Sequence, residues 1–373
     1  MGRNRKLRAR RGSSSGSENR QDQPRTRSPT SCSDDGEYGD AQQEPQAFAY
    51  ARQKGPLPAS DTKHLDLLPY PLPALDVTLL LKQRSAASTE YEASTGTTLW
   101  LSSQILVCYL IANKVKLARS NRRESRDAPR AIELGSGTGM LALVLTRLGF
   151  ETLATDIEPA LCQVLRPNLS DNAEALALAA AAANPKGDGN AFMTPRSACL
   201  DWTECPATSD AGTAKAERSH STRHDVAQLC AARWAAQLCK DAQVPPPWSL
   251  ILSTDTLYHP PLIAPFWSTV KALVLASRAA AHHNVDSHDP SAPRPGAAAA
   301  DKQSKGCDPV VLIALERRDS SLIDEALQVG RHHGFDLKQV SQRTLRKAVD
   351  AHLGAHWERG AWEGVEVWSC VLQ

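Results

Sequence analysis

The stretch that most constrains this chain runs from Arg130 to Leu148, Arg-Ala-Ile-Glu-Leu-Gly-Ser-Gly-Thr-Gly-Met-Leu-Ala-Leu-Val-Leu-Thr-Arg-Leu. The apolar run around Glu133 reads as a buried parallel strand. Gly135, Gly137 and Gly139 follow at alternate positions, and apolar residues then recur at helical spacing through Met140, Leu141, Val144, Leu145 and Leu148. This is strand, tight turn, helix. Glycine accepts φ > 0 and lets a ligand lie against the main chain without meeting a Cβ. The unpaired N–H groups of the helix start face the same crevice, so a nucleotide-like ligand is expected there.

Two ligands compete for that turn. A dinucleotide site uses G-x-G-x-x-G, which brings free N–H groups and a helix dipole to a pyrophosphate. Here the third glycine, Gly139, comes one residue early, and Glu133 stands just before the loop, poorly placed for two phosphates. An acid there suits a ligand with an ammonium group, such as the amino-acid end of S-adenosyl-L-methionine. The next strand, Glu151-Thr-Leu-Ala-Thr-Asp156, ends in a carboxylate able to accept from both hydroxyls of a ribose. Glu133, Gly135, Gly137, Gly139 and Asp156 therefore point to S-adenosyl-L-methionine.

Charge and cysteine usage narrow the class. Forty-three basic residues face 41 acidic ones, for a formal charge of +2, so no global field argues for nucleic acid. No apolar run reaches the roughly 20 residues of a membrane helix, and no apolar segment follows the basic N-terminus, so neither a membrane span nor a secretory signal is expected. Nine scattered cysteines form no C-x-x-C pair, and their odd number argues against a disulfide framework. A reduced, cytoplasmic or nuclear protein is expected, and no metal site is read. His282, His283 and His288 lack a partner set.

Residues 1–60 read by composition as a disordered basic and polar tail. The run Arg3, Arg5, Lys6, Arg8, Arg10, Arg11 is either a solvated tail, the reading favoured, or a nuclear address or a patch for nucleic acid. Residues 61–373 form the folded domain, with low-complexity insertions at about 203–247 and 278–308. Asp76–Leu81 suits an early strand or hairpin. Leu101 to Ile111 suits a helix before the first core strand, with Trp100 at its start either plugging the sheet or walling the crevice.

Beyond Asp156, a helix led by Pro159 runs into the alanine-rich Leu176–Ala183. A third strand is expected to end at Ala198-Cys-Leu-Asp-Trp202, which puts Asp201 at a carboxyl strand end, able to accept from an adenine amino group, with Trp202 covering the ring. Trp248-Ser-Leu-Ile-Leu-Ser-Thr-Asp255 is a buried strand ending in an acid, followed by Thr256-Leu-Tyr258. Val310–Leu315, Phe335 onward and Val365–Leu372 supply the remaining strands, the last two expected as neighbours with no helix between them. The alternation predicts an α/β, Rossmann-like, doubly wound seven-stranded sheet with an antiparallel last strand.

Glu133-Leu-Gly-Ser-Gly-Thr-Gly139, Thr155-Asp156, Leu200-Asp-Trp202 and Asp255-Thr-Leu-Tyr258 stand in the order of seven-strand (class I) AdoMet-dependent methyltransferases. More narrowly, the chain resembles the non-SET protein-lysine methyltransferase branch, through Thr95-Gly96 leading to Trp100 and through Asp-x-x-Tyr after the fourth strand. It departs from the branch at Leu101, where an acidic or small residue is usual. The resemblance implies methyl transfer to a lysine of a protein substrate by a monomer, with Asp255 orienting the amine and Tyr258 or Trp100 facing cationic groups. The bland alternative for Asp255 is a cap on the following turn. Other readings are a methyltransferase of a small molecule or nucleic acid and a non-catalytic interaction protein that kept the fold. The two insertions, read as flanking the ligand end of the sheet, leave substrate choice open.

Overall fold

A computed structural model of the chain describes residues 55–84, 95–119, 128–183, 193–205, 230–231, 233–238, 243–286, 308–353 and 357–373. Seven strands form one sheet: β3 (Arg130–Leu134), β4 (Glu151–Asp156), β5 (Arg196–Cys199), β6 (Leu250–Thr254), β7 (Val310–Glu316), β8 (Phe335–Gln339) and β9 (Val365–Leu372). Their order across the sheet is β5-β4-β3-β6-β7-β9-β8, and β9 runs antiparallel to both its neighbours. The order reverses between β3 and β6, whose parallel register pairs Leu134 with Ser253. An open α/β sheet forms its ligand crevice at such a reversal, outside the carboxyl strand ends. Residues 135 and 255 are the first beyond those two strands.

The central strands are apolar on both faces, as a sheet covered by helices on each side requires. Ala131, Leu250, Leu252, Leu312 and Ala314 pack on one face, against α1 (Leu101–Arg119), α2 (Met140–Arg147) and α7 (Gln342–His352). Ile132, Leu134, Ile251, Val311 and Ile313 pack on the other, against α5 (Pro260–Asp286) and α6 (Ser320–His332). Each fully buried Leu or Ile contributes about 1.5–3 kcal/mol, so these two interfaces hold the sheet. Glu133 is the exception: a carboxylate in a central strand, 1% exposed.

The early apolar segment forms the antiparallel hairpin of β1 (Leu67–Leu72) and β2 (Val77–Lys82), outside the main sheet. The edge of β2 would leave backbone groups unpaired. Two asparagines supply the missing strand, one from α3 (Arg166–Asp171) and one at its C-terminal end. Asn172 accepts the Leu80 N–H at 2.7 Å and donates to the Leu80 carbonyl at 2.9 Å; Asn168 does the same for Lys82 at 2.7 and 3.0 Å. Asn168 also donates to the Thr138 carbonyl at 2.9 Å, tying the hairpin to the glycine turn. The alanine-rich α4 (Ala173–Ala183) follows.

Several expectations are corrected. A helix, α7, does stand between β8 and β9. Its Leu345, Ala348 and Val349 form a buried stripe at helical spacing, and the Ser341 hydroxyl accepts the Thr344 N–H at 3.3 Å as its cap. The many charges around that narrow stripe concealed it in the sequence. Of the segment expected as tail, residues 1–54 lie outside the described residues, but 55–60 pack on the domain. The Pro56 carbonyl accepts from Trp357 Nε1 at 2.9 Å, and Ala59 N–H donates to Gln104 at 2.8 Å.

The described ends of the insertion at 278–308 lie away from the ligand end of the sheet, and 287–307 lie outside the described residues. The insertion connects α5 to the amino end of β7, because the crossover helix between the parallel neighbours β6 and β7 returns the chain to the amino ends of the strands. There Arg278 forms a two-pronged pair with Asp308, both contacts 2.7 Å. Residues 260–286 are one helix, so the insertion begins later than composition suggests. Most of 203–247, and the side chains of His282, His283 and His288, lie outside the described residues. Among the described residues, no helix is long and apolar enough to cross a membrane.

Candidate active site

The carboxyl strand ends and the segment 95–100 enclose a cavity of about 550 Å³. Trp100, Gly135, Gly137, Asp156, Asp201, Trp202, Asp255 and Tyr258 all line it. Glu133 and Gly139 do not.

The glycine turn has two different jobs. Gly137 has φ +52°, and a Cβ there would stand 2.9 Å from the Gly96 carbonyl oxygen, so the segment leading to α1 lies directly on the turn. Its N–H donates to Asp156 Oδ2 at 2.7 Å, while Asp156 Oδ1 accepts the Ile157 N–H at 2.8 Å. Burial raises the Asp156 pKa and these two bonds hold it back. Gly139 instead serves packing. A Cβ on it would meet Leu165 Cδ1 at 2.7 Å, so this glycine lets α2 start against the helical segment after β4.

Glu133 sits in the sheet behind the turn, and its Oε2 has no partner among the described residues. Burial pushes its carboxyl up to about 8, partly offset by hydrogen bonds from Ser136 and the Ala142 N–H, with Asp156 adding repulsion. Oriented N–H groups and a buried carboxyl therefore surround the turn from below.

At the β5 end, Asp201 caps a short turn, accepting the Thr203 N–H at 2.9 Å and its hydroxyl at 2.7 Å through Oδ1. Trp202 begins that turn rather than ending the strand, which stops at Cys199. Its ring meets Phe266 edge-on at 5.2 Å, and its Nε1 is buried with no partner among the described residues.

Asp255 has φ +51°, and both its oxygens are used across elements. Oδ2 accepts from the Ser102 hydroxyl of α1 at 2.5 Å, and Oδ1 accepts the Glu316 N–H at the end of β7 at 2.8 Å. Burial raises its pKa, while these bonds and the Arg318 charge oppose the rise. Beside it, the hydroxyls of Ser103 and Thr254 meet at 2.8 Å. Tyr258 stands half-exposed at the rim. The Trp100 ring carries two cations, Lys63 Nζ at 3.9 Å and the Arg318 guanidinium carbon at 4.5 Å from its centroid.

Sequence reasoning gave no site role to Ser102, Lys63, Glu316 or Arg318, and used Gly96 only in the Thr95-Gly96 resemblance. A signal existed for Ser102: Ser102, Ser103 and Gln104 form a polar run in an apolar helix, all buried. Lys63 and Arg318 carry none, since they come from opposite ends of the chain.

A family model described as lysine methyltransferase matches residues 82–184. The match takes in Trp100, Glu133, the glycine turn and Asp156, and stops before Asp201 and Asp255. No curated protein matches the chain. Among solved structures, it is similar to a TehB-like SAM-dependent methyltransferase from Corynebacterium glutamicum, at 11% identity and a TM-score of 0.28, over 70% of this chain and 88% of that one. It is similar to a precorrin-6y C5,15-methyltransferase from Geobacter metallireducens, at 10% identity and 0.28, over 70% and 86%. A glycopeptide N-methyltransferase, MtfA, complexed with S-adenosyl-L-methionine, aligns at 10% identity and 0.30, over 70% and 94%.

Proposed function

We propose that this chain, a class I S-adenosyl-L-methionine-dependent methyltransferase, methylates a lysine side chain of a protein substrate. The residues present fit the cofactor. Each carboxylate oxygen has two lone pairs, so Asp156 can accept from ribose hydroxyls while keeping its two N–H partners. The unpartnered Oε2 of Glu133 lies beneath the turn, where a bound ammonium group would favour ionisation of its carboxyl. Asp201 and the Trp202 face suit an adenine amino group and ring. When bound, the cofactor supplies a methyl group already activated on a sulfonium.

What remains for the protein is to hold a nucleophile in line and to keep it neutral. A free lysine amine, with a pKa near 10.4, is almost wholly protonated at neutral pH. A channel that partly strips its water favours the neutral form. The observation carrying the lysine reading is the pairing of one largely buried carboxylate, Asp255, with two aromatic rings, Trp100 and Tyr258, on the same cavity. Asp255 has lone pairs left beyond Ser102 and Glu316 to orient an amine N–H. The aromatic faces attract the cationic acceptor on its way in.

Incubation of the protein with methyl-labelled S-adenosyl-L-methionine and a cell lysate tests this reading. Label recovered as methyl-lysine after hydrolysis of the protein fraction is the expected result. Label confined to small molecules or nucleic acid would remove the lysine reading and leave the methyltransferase itself standing.

A further inference from the structure

Lys63 does not itself line the cavity, but its amine is stacked on a residue that does. It ends the helical turn Ala59–Thr62, and its amine lies 3.9 Å over the Trp100 ring, whose residue lines the cavity. One buried side chain fixes that approach. Gln83 Nε2 donates to the Thr62 carbonyl at 2.9 Å and the Leu65 carbonyl at 3.0 Å, on either side of Lys63, while Gln83 Oε1 accepts the Leu99 N–H at 2.7 Å, next to Trp100. The turn and the tryptophan are thus clamped together by a single amide.

We propose that Lys63 is a methyl acceptor of this chain's own active site, modified within the same molecule. The inference rests on the lysine reading above and deepens it. Cation–aromatic stacking alone gives Lys63 little reason to be there: such a contact is weak at an exposed site, and Arg318 already stacks on the same ring. The surroundings act on the amine as an acceptor channel should. Burial and the Arg318 charge lower the Lys63 pKa, against the opposing pull of Glu316 and Asp255. All three of those charged residues line the cavity. In the step itself, the neutral Lys63 Nζ donates its lone pair to the sulfonium methyl carbon as the carbon–sulfur bond breaks toward sulfur. S-adenosyl-L-homocysteine is released, and the methylated amine sheds its surplus proton to water.

The test uses the full chain with S-adenosyl-L-methionine and no other protein, read by peptide mass spectrometry. Lys63 should gain methyl groups at a rate constant independent of protein concentration, because the acceptor is delivered at the high effective molarity of an intramolecular reaction. Lys63→Arg keeps the stacked cation and should lose the modification. A second measurement needs no turnover: S-adenosyl-L-homocysteine should slow acetylation of Lys63 by acetic anhydride relative to the exposed Lys338. If Lys63 stays unmodified while the same preparation methylates lysines in a lysate, this inference fails and the proposed function stands. If lysate lysines also stay unmodified while another acceptor is labelled, the lysine reading fails and takes this inference with it. Unprotected acetylation, or a rate that rises with protein concentration, would overturn the intramolecular placement.

Discussion

Asp255 accepts the Glu316 N–H at 2.8 Å, so one carboxylate oxygen links the residue after β6 to the last residue of β7. The other oxygen holds Ser102, two residues beyond Trp100. Asp255 is therefore a joint between two strands and α1, placed on the cavity wall, and not a cap on the turn that follows it.

Substitution at Asp255 should accordingly separate structure from chemistry only when the replacement is chosen to do so. Asp255→Ala strands a backbone donor and a hydroxyl, and should cost about 1–3 kcal/mol of stability along with activity. Asp255→Asn keeps an acceptor for Glu316, can donate to Ser102, and tolerates φ > 0. Its melting temperature should stay close to wild type and its cofactor affinity within a few-fold, while methyl transfer falls by about a hundredfold. Near-normal single-turnover transfer by Asp255→Asn would end the amine-orienting role.

The two glycines should fail differently. In Gly137→Ala the new Cβ meets the Gly96 carbonyl, so the segment over the turn must move. S-adenosyl-L-methionine affinity, read by titration calorimetry, should drop by about tenfold or more, with about 1–2 kcal/mol lost to the left-handed backbone. In Gly139→Ala the Cβ meets Leu165 and Leu169 instead. That variant should lose about 1–3 kcal/mol in denaturant unfolding and bind cofactor nearly as well as wild type. Equal effects on affinity would show that the turn acts as one unit.

Glu133 predicts a pH dependence of known sign. Its carboxyl is pushed from the ordinary 4.5 up to about 8, so between these values the folded chain holds a proton that the unfolded chain has released. Stability therefore falls as pH rises through that window and levels off above about 8. Glu133→Gln should show a shallower fall in melting temperature between about pH 5 and about pH 8. A bound ammonium favours the ionised form, so cofactor binding should release a proton below pH 8 in wild type and none in the variant. Calorimetry in buffers of different ionisation enthalpy measures that release, and its absence in wild type would place the ammonium elsewhere.

Asn172 predicts a purely structural loss. It is 1% exposed and pairs both backbone groups of Leu80. Asn172→Ala leaves a donor and an acceptor unpaired at the edge of β2 and should destabilise by about 1–3 kcal/mol. Hydrogen exchange at the Leu80 amide should accelerate more than exchange in β3. Unchanged exchange at Leu80 would mean water replaces the amide without cost.

The glycine-turn half of the candidate site was legible in the sequence because it is local. Strand, glycine turn, helix and the acid ending the next strand lie within one continuous segment, and periodicity with glycine spacing reports them directly. The strand-end position of Asp255 was legible too, since a buried run stopping at an acid marks a carboxyl end, whereas Asp201 stands two residues beyond β5 in the turn that it caps. The division of labour among the glycines was not, because whether a missing Cβ makes room for a passing chain segment or for a leucine depends on what packs there. The narrow stripe of α7 was hidden for a related reason: three buried residues among many charges give little signal until α1 lies against them. The Lys63–Trp100–Arg318 stack and the Asp255 joint were decided by tertiary structure alone. Their members are brought together by strand order and by the Gln83 clamp, and distance in space is not encoded in the spacing of residues along the chain.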